Sequence, residues 1–164
     1  MKNKMNKEMK NLTKSMGNWL FKIDFLKEEI DKLGKLENWP IISISTFLLK
    51  CQVIEFELKH LIYAFDFHLD LKNSSDSIKR HIRTPNELND LTLGQSIRIF
   101  SEFEAIAIDK LKNQLKSIVT LRNDFTHHLF SQKGNIKELI EDAKRGIVIA
   151  NSILSKLKEL DTIV

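Results

Sequence analysis

From Pro40 to Leu69 the chain returns an apolar residue every three or four positions, and after Pro40 no glycine or proline interrupts the run. Ile41, Ile44, Phe47, Leu48, Cys51, Ile54, Leu58, Leu61, Ile62, Phe65 and Leu69 make a stripe too wide for a helix with a single buried edge. Such a helix needs neighbours on several sides, so the pattern dictates a helical bundle with this segment at its centre. Nothing else in the chain argues otherwise. Only five Gly and two Pro occur in 164 residues, and no stretch alternates apolar and polar residues for long enough to make a strand. A chain of this length supplies one core and one domain.

Upstream, Leu12, Met16, Trp19, Ile23, Leu26, Ile30 and Leu33 follow steps of four and three, a helix with one narrow apolar seam. That seam can close on the chain's own core or on a partner helix. Gly34, then Asn38, Trp39 and Pro40, mark a stop and a fresh start, because Pro costs nothing in the first helical turn. Residues 1–36 therefore read as a helical extension and residues 37–164 as the bundle. Between Lys72 and Asp90 the polar, turn-forming composition predicts a long connection with one helical turn. Thr92 with Gln95, and Ser101 with Glu104, have capping-box spacing, which predicts a short helix near 93–100 and a long one near 102–129. A last helix starts after Gly134, with Asn135 as its cap, and carries Ile136, Leu139, Ile140, Ala143, Ile147, Ala150, Leu154 and Leu157. The expected fold is all-α, an up-and-down bundle of four or five helices with an extra N-terminal amphipathic helix.

Charge and cysteine usage narrow the setting. The formal charge is +4, from 26 basic and 22 acidic residues. The two ends carry the excess: residues 1–38 hold nine Lys against six acids, and residues 109–164 hold ten Lys plus Arg against seven. Such an excess permits an acidic partner such as RNA without requiring one. Cys51 is the single cysteine, which excludes an internal disulfide and suits a reducing compartment. The first ten residues are charged and no later run resembles a membrane span, so a cytoplasmic protein without membrane attachment is expected. Phosphate loops, zinc-finger spacings and a G-x-S-x-G elbow are missing, and no cofactor or metal is expected. Of the carboxylates on the central helix only Glu57 stands three before a histidine, His60, whereas a di-metal bundle needs two such pairs. His60, His68 and His81 are scattered, and Cys51 reads as core.

The long helix near 102–129 carries the anomaly. Its apolar seam runs Ile108, Leu111, Leu115, Ile118, then Arg122, then Phe125 and Leu129. A guanidinium cannot shed its charge, so at a seam position it must snorkel, pair with an acid such as Asp124, or face a polar interface. Around it Asn123, Asp124, Thr126, His127 and His128 crowd into seven residues of an otherwise apolar-periodic helix. Asn123 and His127 share a face, as do Asp124 and His128, so either imidazole can be oriented from one turn earlier. Arg122 and His127 are about 140° apart on an ideal helix. They converge on one target only if the helix loosens near His127 or if two copies meet across a two-fold axis.

The string Leu121-Arg122-Asn123-Asp124-Phe125-Thr126-His127 resembles the R-N-x-x-x-H form of the Rx4-6H signature of HEPN domains, the higher eukaryote and prokaryote nucleotide-binding superfamily. With Thr92-Leu93-Gly94-Gln95 upstream it is similar to the mannitol-repressor-like and related branches, over about residues 40–160. The resemblance implies a HEPN-type bundle in which the motif ends a long helix and one more helix follows. It implies a homodimeric, metal-independent endoribonuclease acting on RNA, as a toxin or phage-defence component with a cognate antitoxin or regulatory protein. On that reading Arg122, Asn123 and His127 are catalytic, and His128, Asp124 and Thr126 are alternatives or auxiliaries. Leu129 stands where some toxin members extend the motif to a Tyr. The resemblance equally allows a non-catalytic dimeric binding or regulatory protein of mannitol-repressor-like type.

Overall fold

The computed structural model describes residues 23–28, 30, 32, 40–72, 82–103, 106–130 and 135–161. The elements are α1 (Pro40–Lys72), α2 (Pro85–Asn89), α3 (Leu93–Phe100), α4 (Ile106–Phe130) and α5 (Ile136–Asp161), and residues 23–28, 30 and 32 are helical as well. No strand occurs among the described residues, and the all-α bundle expected from the periodicity is the one that forms. Among the same residues, no helix is long and apolar enough to cross a membrane.

Helix α1 is central because it is apolar on two sides. One side buries Phe47, Cys51, Ile54, Leu58, Leu61 and Ile62 against α3, α4 and α5. The other presents Val53, fully buried, to Ile23 and Ile30, with Leu26, Leu49, Phe56 and Leu154 around them. The described part of the N-terminal seam thus closes on the chain's own α1 and α5. A Lys27–Glu57 ion pair of 2.8 Å crosses the same boundary. Leu12, Met16, Trp19 and Leu33 lie outside the described residues.

Contacts along the long helices fix their directions. Phe47 meets Gly146 and His60 meets Asp161, so α1 and α5 run parallel. Phe47 stacks edge-on against Phe125, with centroids 5.6 Å apart and an interplanar angle of 78°, and α4 runs antiparallel to both. Farther along α4, Gln114 donates to Ser152 at 3.1 Å and accepts from Lys156 at 2.7 Å, a polar tie to α5. The short α2 packs on α1, and α3 packs on both α1 and α4: Leu88, Leu93, Ile97 and Phe100 close the core beneath Phe65.

Local chemistry explains most helix ends. Thr84 accepts from the Glu87 N–H at 3.3 Å while Glu87 accepts from the Thr84 N–H at 2.7 Å, and Pro85 occupies the first turn of α2. Thr92 and Gln95 repeat the arrangement at α3, at 3.4 and 2.8 Å. Asn135 caps α5 through a 3.0 Å bond from the Lys137 N–H. Ser101 departs from its expected role. It closes α3 instead of opening α4: its backbone is helical, at φ −73° and ψ −11°, and its hydroxyl donates to the Ile97 carbonyl at 2.7 Å. An N-cap needs extended backbone, so the capping box with Glu104, itself outside the described residues, does not set the start of α4. That helix begins at Ile106. Ile41 and Ile136, read from the sequence as core, sit in the first turns of α1 and α5 and are exposed.

Candidate functional site

Helix α4 carries every residue of the candidate motif. It is continuous from Ile106 to Phe130, so successive side chains advance by about 100° and Arg122 stays about 140° from His127. Exposure follows that angle. Ile118 and Phe125 are buried, Arg122 between them is half-buried, and Asn123, Asp124 and His127 are exposed. Thr126 is half-buried and its hydroxyl is turned to the backbone, donating to the carbonyls of Arg122 at 3.0 Å and Asn123 at 2.9 Å. That is a helix Thr satisfying itself one turn back, and it leaves Thr126 without a donor for a ligand. The His128 side chain lies outside the described residues, as do the side chain of His68 and all of His81.

Two of the motif's geometric options are thereby separated. The helix does not loosen at His127, so one chain cannot bring Arg122 and His127 to a single small target. Asn123 and His127 do share a face, as their spacing of four requires, but neither Asn123 nor Asp124 is hydrogen-bonded to the imidazole.

Arg122 follows Ile118 and precedes Phe125 on the buried seam of α4. Its charge reaches the thiol of Cys51 on α1, seventy-one positions earlier in the chain. Burial pushes that thiol up to about 12, and the attraction of Arg122 for a thiolate offsets only part of the rise. Cys51 stays neutral and inert. It gives the guanidinium no counter-charge, and among the described residues no carboxylate pairs with Arg122. The sequence allowed a bridge to Asp124, but the structure makes none.

Several charged groups elsewhere are engaged with one another. Lys59, only 2% exposed, pairs with Glu55 at 2.8 Å, donates to the Asn89 carbonyl at the end of α2 at 3.2 Å, and lies 5.9 Å from the centroid of Phe56. It ties α2 to α1, a role signalled in the sequence only by the i, i+4 spacing of Glu55 and Lys59. Arg83 grips both oxygens of Asp66, at 2.9 and 2.8 Å, and holds the approach to α2. Glu57 is taken by Lys27, while His60 faces Asp161 at 3.6 Å, so the Glu57–His60 pair does not share a ligand. No three His, Cys, Asp or Glu side chains gather as a metal would require among the described residues. The side chains of Arg122, Asn123 and His127 make no hydrogen bond or ion pair among the described residues. No protein-family model, curated protein or solved structure matches the chain.

Proposed function

We propose that the chain is a HEPN-like, metal-independent endoribonuclease whose active cleft is made by two copies of α4. Each copy supplies Arg122, Asn123 and His127. The reading rests on one observation: a permanently charged Arg122 lies in register with buried Ile118 and Phe125 and has no acid partner among the described residues. Arg122 is not among the buried unpartnered groups, so its head meets water at the edge of the seam, where an anion can pair with it. A phosphodiester supplies that anion, and the planar fork of Arg suits the charge that builds on a five-coordinate phosphorus.

The exposed imidazole of His127 suits the accompanying proton transfer. RNA cleavage needs a proton taken from the ribose 2′-OH and another delivered to the departing 5′-oxygen, with a 2′,3′-cyclic phosphate left behind. His127 serves as the base or the acid in that exchange, and Asn123 orients it or the phosphate. The 140° gap between Arg122 and His127 is the reason for a dimer: one protomer's Arg122 works with its partner's His127. A toxin or phage-defence role, held in check by an antitoxin or regulatory protein, follows from the resemblance of the motif.

The test is RNA cutting by purified protein in the presence of EDTA, with cyclic-phosphate ends. A positioned acid–base group contributes about 10²–10⁴-fold, so His127→Ala removes nearly all cutting, and Arg122→Ala does likewise. Undiminished cutting in both variants overturns the assignment. Stable RNA binding without any turnover assigns the chain instead to a binding or regulatory role on the same motif.

A further inference from the structure

The outer face of α4 continues beyond the motif. Lys116, Thr120, Asn123 and His127 are spaced four, three and four apart and all are exposed. On a continuous helix they fall within about 60° of arc and span about 16 Å, each with a donor or acceptor facing water. Lys116 supplies the permanent positive charge among them. One turn back, Lys112 is neutralised by Asp109 at 2.6 Å, and on α5 Lys144 is paired with Glu141 and Arg145 with Asp142. Lys116 has no ion pair among the described residues. Asp124, also exposed and without an ion pair among the described residues, borders the track about 60° from His127 and 80° from Lys116.

We propose that this face is the path of a single RNA strand, with Lys116 holding a phosphate well away from the one being cut at Arg122 and His127. The inference rests on the nuclease reading for its substrate class and adds a binding residue that lies outside the motif. The strand follows the Lys116 and Asn123 side of the helix, because Asp124 repels phosphates on the other.

Binding of a short single-stranded RNA blocked at every 2′-oxygen isolates the contact from cleavage. For Lys116→Gln, the slope of log K against log salt becomes shallower by about 0.7, and affinity at about 0.1 M salt falls about fivefold, as expected for one lost phosphate contact. Lys144→Gln, on α5, changes neither, and Asp124→Asn tightens binding. An unchanged slope in Lys116→Gln, an equal loss in Lys144→Gln, or weaker binding by Asp124→Asn overturns the track. The failures are distinguishable: a protein that binds through Lys116 but never cuts unblocked RNA loses the nuclease reading and keeps the track. One that cuts RNA while its binding ignores Lys116 loses the track alone.

Discussion

Substituting Gly146 tests the packing that places α4 beside α1. At an open helical position, Gly→Ala stabilises by up to about 1 kcal/mol, since Ala restricts the unfolded chain and favours helix. Gly146 is not open. A Cβ built there collides with Cε2 and Cδ2 of Phe47 and comes within 2.9 Å of Cζ. The ring has little room to retreat, because it is fully buried and its other side meets Phe125 edge-on at 5.6 Å. Overpacking of this kind costs about 1–3 kcal/mol, so the clash outweighs the propensity gain and Gly146→Ala is destabilised by about 1 kcal/mol. In a chain of this size that lowers Tm by about 2–4 °C. The double variant Phe47→Leu/Gly146→Ala, compared by thermal unfolding with each single variant, shows a favourable coupling because the smaller side chain makes room. Gly94→Ala, where nothing lies within 4 Å of the added carbon, does not fall. A rise in Tm for Gly146→Ala would refute the close approach of α5 to Phe47 and, with it, the placement of Phe125 and Arg122.

Other consequences can be measured independently. Lys59→Met strands the Glu55 carboxylate and the Asn89 carbonyl and lowers stability by about 3 kcal/mol in chemical denaturation, and pairing it with Glu55→Leu recovers much of the loss. Cys51 fails to react with a water-soluble disulfide reagent at neutral pH until the protein is unfolded, because its thiol is buried and neutral. The same thiol shapes alkaline stability. Its folded value, about 12, lies above the unfolded 9.0, so the native state keeps a proton the unfolded chain releases, and stability falls as pH rises through that interval. Cys51→Ala flattens that part of the pH profile, and an identical slope in both proteins contradicts the assignment. Phe125→Ala removes a fully buried ring and costs about 3–5 kcal/mol in the same denaturation assay.

The elements were legible where local chemistry sets them. Thr92 and Gln95 specify the start of α3 within four residues, and the apolar period of α1 requires no distant partner to be read. Ser101 shows the limit: the same Ser-x-x-Glu spacing suits the end of one helix as well as the start of the next, and the backbone angle that decides between them comes from how α3 packs. Val53 stands outside the stripe read from the sequence because it is buried on a second face, visible only once Ile23 and Ile30 cover it. Lys59 looks like a solvent residue in sequence and is buried because the end of α2, thirty positions away, lies over it. The candidate site divides in the same way. That Arg122 interrupts a seam is written in the spacing of Ile118 and Phe125. That its charge reaches a neutral thiol depends on the approach of α1 to α4, which no local pattern encodes.

The central claim is that Arg122 and His127 act together only across two chains, and a mixing experiment addresses it directly. Arg122→Ala and His127→Ala proteins, each inactive alone, are unfolded, combined and refolded, and RNA cutting is measured in EDTA. A mixed dimer retains one intact Arg122 facing one intact His127, so the account predicts that activity returns on mixing to a fraction of the wild-type level. Mixtures as silent as the separate variants, beside an active wild-type control and with mixed dimers demonstrated by mass, would contradict it.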